Sequence, residues 1–204
     1  MYSRKTTLVI GFHGCDKSVR DAVINGENLK PSQNDYDWLG NGIYFWEADP
    51  YRAYEWAVEA SKRKDSSVKE PAVLGAVLDL GHCLDLMKRS SIDFLKLGYE
   101  WLQQQCEIDG LPLPQNRNLK NNTDFLFRNL DCAVIQKLHK TILENPDICF
   151  EPFDSVRGLF IEGNEVYMGS TFKEKNHIQI CVVNPNCIKG FFLPRELDVN
   201  YPIP

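Results

Sequence analysis

The chain has 204 residues, 43% hydrophobic and 25% charged, which suits one ordinary domain with a sizeable core. Its formal net charge of −5 argues against nucleic-acid binding driven by overall charge, although a local basic patch remains compatible with it. No apolar run reaches bilayer-spanning length, and the run near the N-terminus is too short and too soon interrupted for a secretory signal. The seven cysteines (Cys15, Cys83, Cys106, Cys132, Cys149, Cys181 and Cys187) are odd in number and form no CxxC. They favour thiols in a reducing cytoplasm over a disulfide frame. The four histidines (His13, His82, His139 and His177) are too dispersed for their spacing to propose a metal.

Taken in order, Thr7 to His13 predicts a first strand, nearly continuously apolar and so buried on both faces. Asp16 is a candidate N-cap for a helix with Val19, Ala22 and Val23 at helical spacing, closed by Asn25-Gly26. A polar loop from Lys30 to Asp35 leads to Tyr36–Trp46, the stretch YDWLGNGIYFW. Asn41-Gly42 is a turn dipeptide there, and Ile43 to Trp46 a short aromatic strand. Alternation sends Tyr44 and Trp46 to one face and Ile43 and Phe45 to the other. Asp49 and Pro50 open a second helix, with Ala53, Trp56, Ala57 and Ala60 as its buried stripe and Lys62, Arg63 and Lys64 complementing its C-terminal dipole.

Pro71 to Leu80 predicts another buried strand. A helix follows from Ser90 or Ser91, with Leu95, Tyr99, Leu102 and Cys106 on one face. Asp109 to Asn122 is the longest loop. Thr123 or Asp124 starts a longer helix burying Phe127, Leu130, Val134 and Leu138. These two helices, about 90–145, form an inserted layer within a single domain spanning 1–204. The last third is strand-like: Ser155 to Ile161, Glu165 to Met168, His177 to Val183 and Ile188 to Leu193. In the third of these, Ile178, Ile180 and Val182 share one face, and His177, Gln179 and Cys181 the other.

The order of parts carries a resemblance. A strand ending in FHG at Phe12–Gly14, a helix, a polar loop, LGNGIYF around Tyr44, an Ala-rich helix and a late alternating strand resemble the ADP-ribosyltransferase superfamily. The likeness is to its diphtheria-toxin and poly(ADP-ribose) polymerase side, whose members carry an H-Y-E triad. It implies an α+β fold of two packed, antiparallel-type sheets that form a cleft for NAD. It also implies roles. His13 would hydrogen-bond the adenine-side ribose, the Gly14 backbone would hold the nicotinamide carboxamide, and Tyr44 would stack on the nicotinamide ring. Tyr36 is a second wall, and Ser32 and Asn41 are candidates for ribose or phosphate contacts. Aromatic walls suit a flat cationic ring, and paired backbone groups suit an amide.

The third motif departs from the pattern: Gln179 stands where the group carries Glu. Gln can make the hydrogen bond but brings no full charge to the developing cation. His177, two positions earlier on the same face, is a candidate general base for the acceptor. Glu174 could bring the missing charge, while Glu162 and Glu165 read as solvated loop charges, Arg157 as a strand-edge ion pair and Cys181 as filler.

The expectation is a mono-ADP-ribosyltransferase of bacterial toxin or effector type that uses NAD as substrate and no metal. It would modify an intracellular protein or nucleic acid without chain elongation, with an antitoxin among its partners and no membrane. The alternatives are a catalytically silent module binding NAD or ADP-ribose, and an NAD hydrolase. RNA 2′-phosphotransferases share the fold, but their Arg-rich pattern is not found. Arg117, Lys120 and Arg128 with Phe125 and Phe127 could form a basic-aromatic surface, although helix-face charges and core aromatics are favoured.

Overall fold

The computed structural model describes residues 8–118, 126–145, 147, 150–196 and 198–200. Strand β1 (Val9–Asp16) runs into helix α1 (Lys17–Ile24), and β2 (Ile43–Glu47) into α2 (Pro50–Ser61). β3 (Pro71–Leu78) and β4 (Cys83–Asp85) precede the long α3 (Arg89–Asp109). A ribbon of β5 (Asn116–Arg117) and β6 (Phe127–Arg128) leads into α4 (Asn129–Glu144), and β7 (Ser155–Phe160), β8 (His177–Val182) and β9 (Ile188–Phe192) follow.

The protein is α+β, built on a seven-stranded mixed sheet in the order β4-β7-β8-β2-β1-β3-β9. β4 and β7 are parallel and the other neighbours antiparallel. The expected pair of packed sheets is thus replaced by one hydrogen-bonded sheet beside a two-stranded ribbon. The reason lies at the centre. β1 and β2 share the pairs Gly11 with Glu47 and Phe12 with Trp46, which suffice to join four strands to three.

Alternation sorts the core. Ile43 and Phe45 join Leu74, Leu78, Ile180 and Val182 under α1. On the other face, Phe12 and Trp46 pack on Ala53 of α2, and Leu84, Val156 and Cys181 pack on Ile135, Leu138 and Ile142 of α4. β1 is not buried on both faces, since Ile10 is 40% exposed. It runs on to Asp16 because its ladder with β3 continues to Asp16 opposite Pro71.

The predicted caps at Asp16 and Asp49 accept from Ser18 N and Arg52 N, and Pro50 stands at the first turn of α2. Lys62, Arg63 and Lys64 lie past the end of α2, so its last turn carries no cation. α4 begins at Asn129; Thr123 and Asp124 lie outside the described residues. Phe127, expected on that helix, pairs with Arg117 in the ribbon instead. The cap of α4 comes from a distant segment, where the Asn116 side-chain oxygen accepts from Leu130 N at 2.9 Å. Glu165 to Met168 forms no strand; Glu165 makes an isolated bridge to Lys173. No helix among the described residues is long and apolar enough to cross a membrane.

His139 on α4 packs beside Phe153, and its Nε2 is buried without a partner. Burial pushes its pKa down from 6.5 to about 4. The ring is therefore neutral in the fold, while the unfolded chain takes up a proton as pH falls below 6.5. Stability is full above that pH and is lost as the pH falls from 6.5 towards 4, by about 3 kcal/mol for this group. Urea unfolding across that window should show a falling free energy, with a shallower fall in His139→Phe.

Candidate functional site

Past Phe12 the two central strands separate. β1 stays with β3 as far as Asp16, while β2 stays with β8 as far as Ile43. Continued in register, the β1–β2 ladder would set Gly14 opposite Tyr44. Instead the His13 ring bridges the gap, its Nδ1 lying 2.8 Å from the Tyr44 carbonyl oxygen. A carbonyl only accepts, so Nδ1 holds the proton and the neutral ring keeps a lone pair on Nε2. Burial holds the His13 pKa below the ordinary range, which favours this neutral form.

The separation opens a cleft of about 450 Å³, within the range of small-molecule sites. Seven of the eight residues singled out from the sequence line it: His13, Gly14, Ser32, Tyr36, Tyr44, His177 and Gln179. Asn41 does not. It is exposed at the tip of its turn, because the neighbouring Gly42 is the residue that turns inward and pairs with Ser32. That pairing (Ser32 N to Gly42 O, 2.8 Å) draws the polar loop to the cleft.

Gly14 has a packing reason for its identity. A Cβ there would fall 2.1 Å from the Ala53 carbonyl oxygen, so α2 rests directly on the strand. The Tyr44 hydroxyl donates to Gly40 O at 2.8 Å and accepts from Leu39 N at 3.0 Å, and burial pushes its pKa up. Tyr44 lines the cleft and packs against the core under α4, while its hydroxyl is committed to the loop that precedes it. Tyr36 stands at the rim, edge-on to Phe127 with ring centroids 5.3 Å apart.

On β8 the Gln179 side-chain oxygen accepts from Trp38 Nε1 at 2.6 Å. The His177 Nδ1 faces Lys175 O at 2.6 Å, which fixes the proton on Nδ1 and leaves Nε2 buried without a partner. Burial holds the His177 pKa down, so the ring is a neutral base at pH 7. It stacks on Phe160 (5.4 Å, 20°), which the Arg128 guanidinium also approaches at 4.2 Å. Cys181, further along this face, is buried with Sγ 3.5 Å from Gly40 O, and burial pushes its pKa up.

The charged groups differ from those expected. Glu174 is paired with Asn164 at 3.2 Å and does not line the cleft. Glu162, expected as a solvated charge, does line it. Its side chain is 13% exposed, and its Oε2 accepts from Arg52 Nη2 at 2.7 Å. Arg52 itself is 6% exposed, with Nε and Nη1 lacking hydrogen-bond partners. Glu59 pairs with Lys175 at 2.7 Å. Arg52, Trp56 and Glu59 all line the cleft, and their spacing of four and three makes one face of α2, with Arg63 lining it just past the helix end. That second stripe, beside the alanine stripe, was the signal in the sequence that could have found them.

Arg157 is not at a sheet edge; β7 lies between β4 and β8, and Arg157 binds Glu47 and Asp85. Of the proposed basic-aromatic surface, Lys120 and Phe125 lie outside the described residues, and Phe127 and Arg128 turn towards the cleft rim. Among the described residues no three His, Cys, Asp or Glu side chains gather as metal ligands would.

The arrangement offers aromatic side chains along the cleft, two neutral histidines, an amide, and a carboxylate paired with a buried guanidinium. No family model and no solved structure matches this chain. It is 26% identical over 197 residues to an uncharacterized protein of Methanocaldococcus jannaschii, covering 87% of this chain and 83% of that protein.

Proposed function

We propose that the protein is a mono-ADP-ribosyltransferase of the H-Y-E type that uses NAD as its substrate and has an ADP-ribosyltransferase-like fold. The observation that carries this reading is the meeting of His13, Tyr44 and Gln179, from three separate strands, in one aromatic cleft at the parted centre of the sheet. Tyr44 supplies a ring face for the nicotinamide. The lone pair on His13 Nε2 accepts from a ribose hydroxyl. The amide of Gln179 hydrogen-bonds the ribose next to the reacting carbon. As the C1′–N bond breaks, its electron pair neutralises the pyridinium and nicotinamide leaves. The acceptor's lone pair then forms the new bond to C1′, and its proton passes to His177 Nε2 once the acceptor reaches that atom, which is buried without a partner until then. Gln179 carries no full charge and positions the ribose by a hydrogen bond, so the cationic intermediate lacks the electrostatic stabilisation a carboxylate would give. A single transfer to a protein or nucleic acid of toxin or effector type fits this weaker site better than chain elongation.

The test is incubation of the purified protein with labelled NAD and separate protein, RNA and DNA fractions of a lysate. Label should move to one fraction, and His13→Ala and Gln179→Ala should each reduce transfer roughly 100-fold. Free ADP-ribose without a labelled macromolecule would identify an NAD hydrolase instead. NAD that raises the melting temperature yet stays intact would identify the silent binding module. Absence of both binding and turnover would end the reading.

A further inference from the structure

We infer that Trp38 is a positioning residue that fixes the side-chain amide of Gln179 so that its NH2 end, and not its oxygen, faces the substrate. The inference rests on the proposed NAD-dependent reaction. Its basis is the 2.6 Å hydrogen bond between Trp38 Nε1 and Gln179 Oε1, both residues lining the cleft. An indole nitrogen can only donate, so the amide atom that meets it must be the oxygen. The orientation is set by chemistry: a flipped amide would set two donors against each other. Gln179 has Trp38 as its one side-chain hydrogen-bond partner among the described residues, which leaves the NH2 group to the cleft.

Trp38 is well placed to act as the fixed partner. Its ring lies over Gly158, where a Cβ would come within 2.7 Å of it, and Gly158 is the residue that pairs with Gln179 across β7 and β8. Phe160 meets it edge-on at 5.1 Å and the Arg128 guanidinium covers it at 5.0 Å. The following residue, Leu39, is held through its N–H by the Tyr44 hydroxyl at 3.0 Å. A rigid, donor-only group on one side of a free amide makes that amide a donor towards its ligand. The substrate atom opposite Gln179 must then be a hydrogen-bond acceptor, such as a ribose oxygen, and a donor-only group is disfavoured there.

The experiment is a double-mutant cycle on NAD turnover, with kcat and KM measured separately. Trp38→Phe removes the N–H and reduces the two fused rings to one, so a second replacement of Trp38 by benzothienylalanine, a near-isostere with sulfur in place of N–H, keeps the packing. Either change should lower kcat about 10–100-fold with KM changed less than about threefold. In a Gln179→Ala background the same change should alter kcat less than about twofold, because the effect travels through the amide. Wild-type kcat in the isostere, or an equal fall in the Gln179→Ala background, would overturn the inference while leaving the transferase reading intact. A wild-type protein with no NAD turnover towards any fraction would overturn both.

Discussion

Replacing Arg157 with Met should destabilise the fold by about 3–5 kcal/mol, read as a lowered urea midpoint with an unchanged slope. Arg157 Nε and Nη2 engage both carboxylate oxygens of Glu47, the latter at 2.9 Å, and Nη1 reaches Asp85 at 3.2 Å. The three side chains are 10%, 16% and 5% exposed in that order. They come from β7, β2 and β4, so one guanidinium links three strands of the sheet. Its removal leaves two carboxylates facing each other in a place with little water. Arg157→Lys should recover only part of the loss, since a single ammonium cannot match the forked geometry. Replacing all three residues with apolar ones of similar size should restore most of it, because the cost arises from unpaired charge rather than from a missing attraction.

Tyr44→Phe should cost about 1–3 kcal/mol of stability and, on the proposed reaction, lower NAD turnover at least about tenfold, although the ring is retained. A residue that served only by stacking would tolerate this change. Here the hydroxyl satisfies Leu39 N and is a donor to Gly40 O. Without it, the N–H of fully buried Leu39 has no partner and Gly40 O keeps only the weak Cys181 thiol at 3.5 Å. The loop that relaxes is the one holding Trp38, so the loss should appear in kcat more than in KM. Thermal melting and steady-state kinetics on the same preparation separate the two effects; unchanged kcat in a destabilised variant would show that the loop does not depend on the hydroxyl.

The sequence was most legible where one local rule acts alone. Asp16, Asp49 and Pro50 mark helix starts through their own side chains, and the IYFW run sorts its faces by simple alternation. The start of α4 was not legible, because its cap is lent by Asn116 from another segment. The ladder between the two halves of the sheet was also hidden, since two residue pairs carry no sequence signature of their own. Within the cleft, the motifs found the residues that alternate on strands. They missed Arg52 and Glu162, whose pairing spans 110 positions and turns two ordinary surface charges into a buried pair. Trp38 lay in the focal stretch, but its partner Gln179 is 141 positions away, and only folding reveals that the two meet.

The parted centre of the sheet has a mechanical consequence. β4, β7, β8 and β2 form one leaf, and β1, β3 and β9 the other, bound along a spine only two residue pairs long. α2 lies across that spine, with Ala53 on Gly14 of one leaf and Trp56 against Trp46 of the other. His13 and Gly14 stand on one page, Tyr44, His177 and Gln179 on the facing page. On the proposed reading, a ligand held between them would fasten the book where its binding is thinnest, so its grip and the cohesion of the fold would be drawn from the same few contacts.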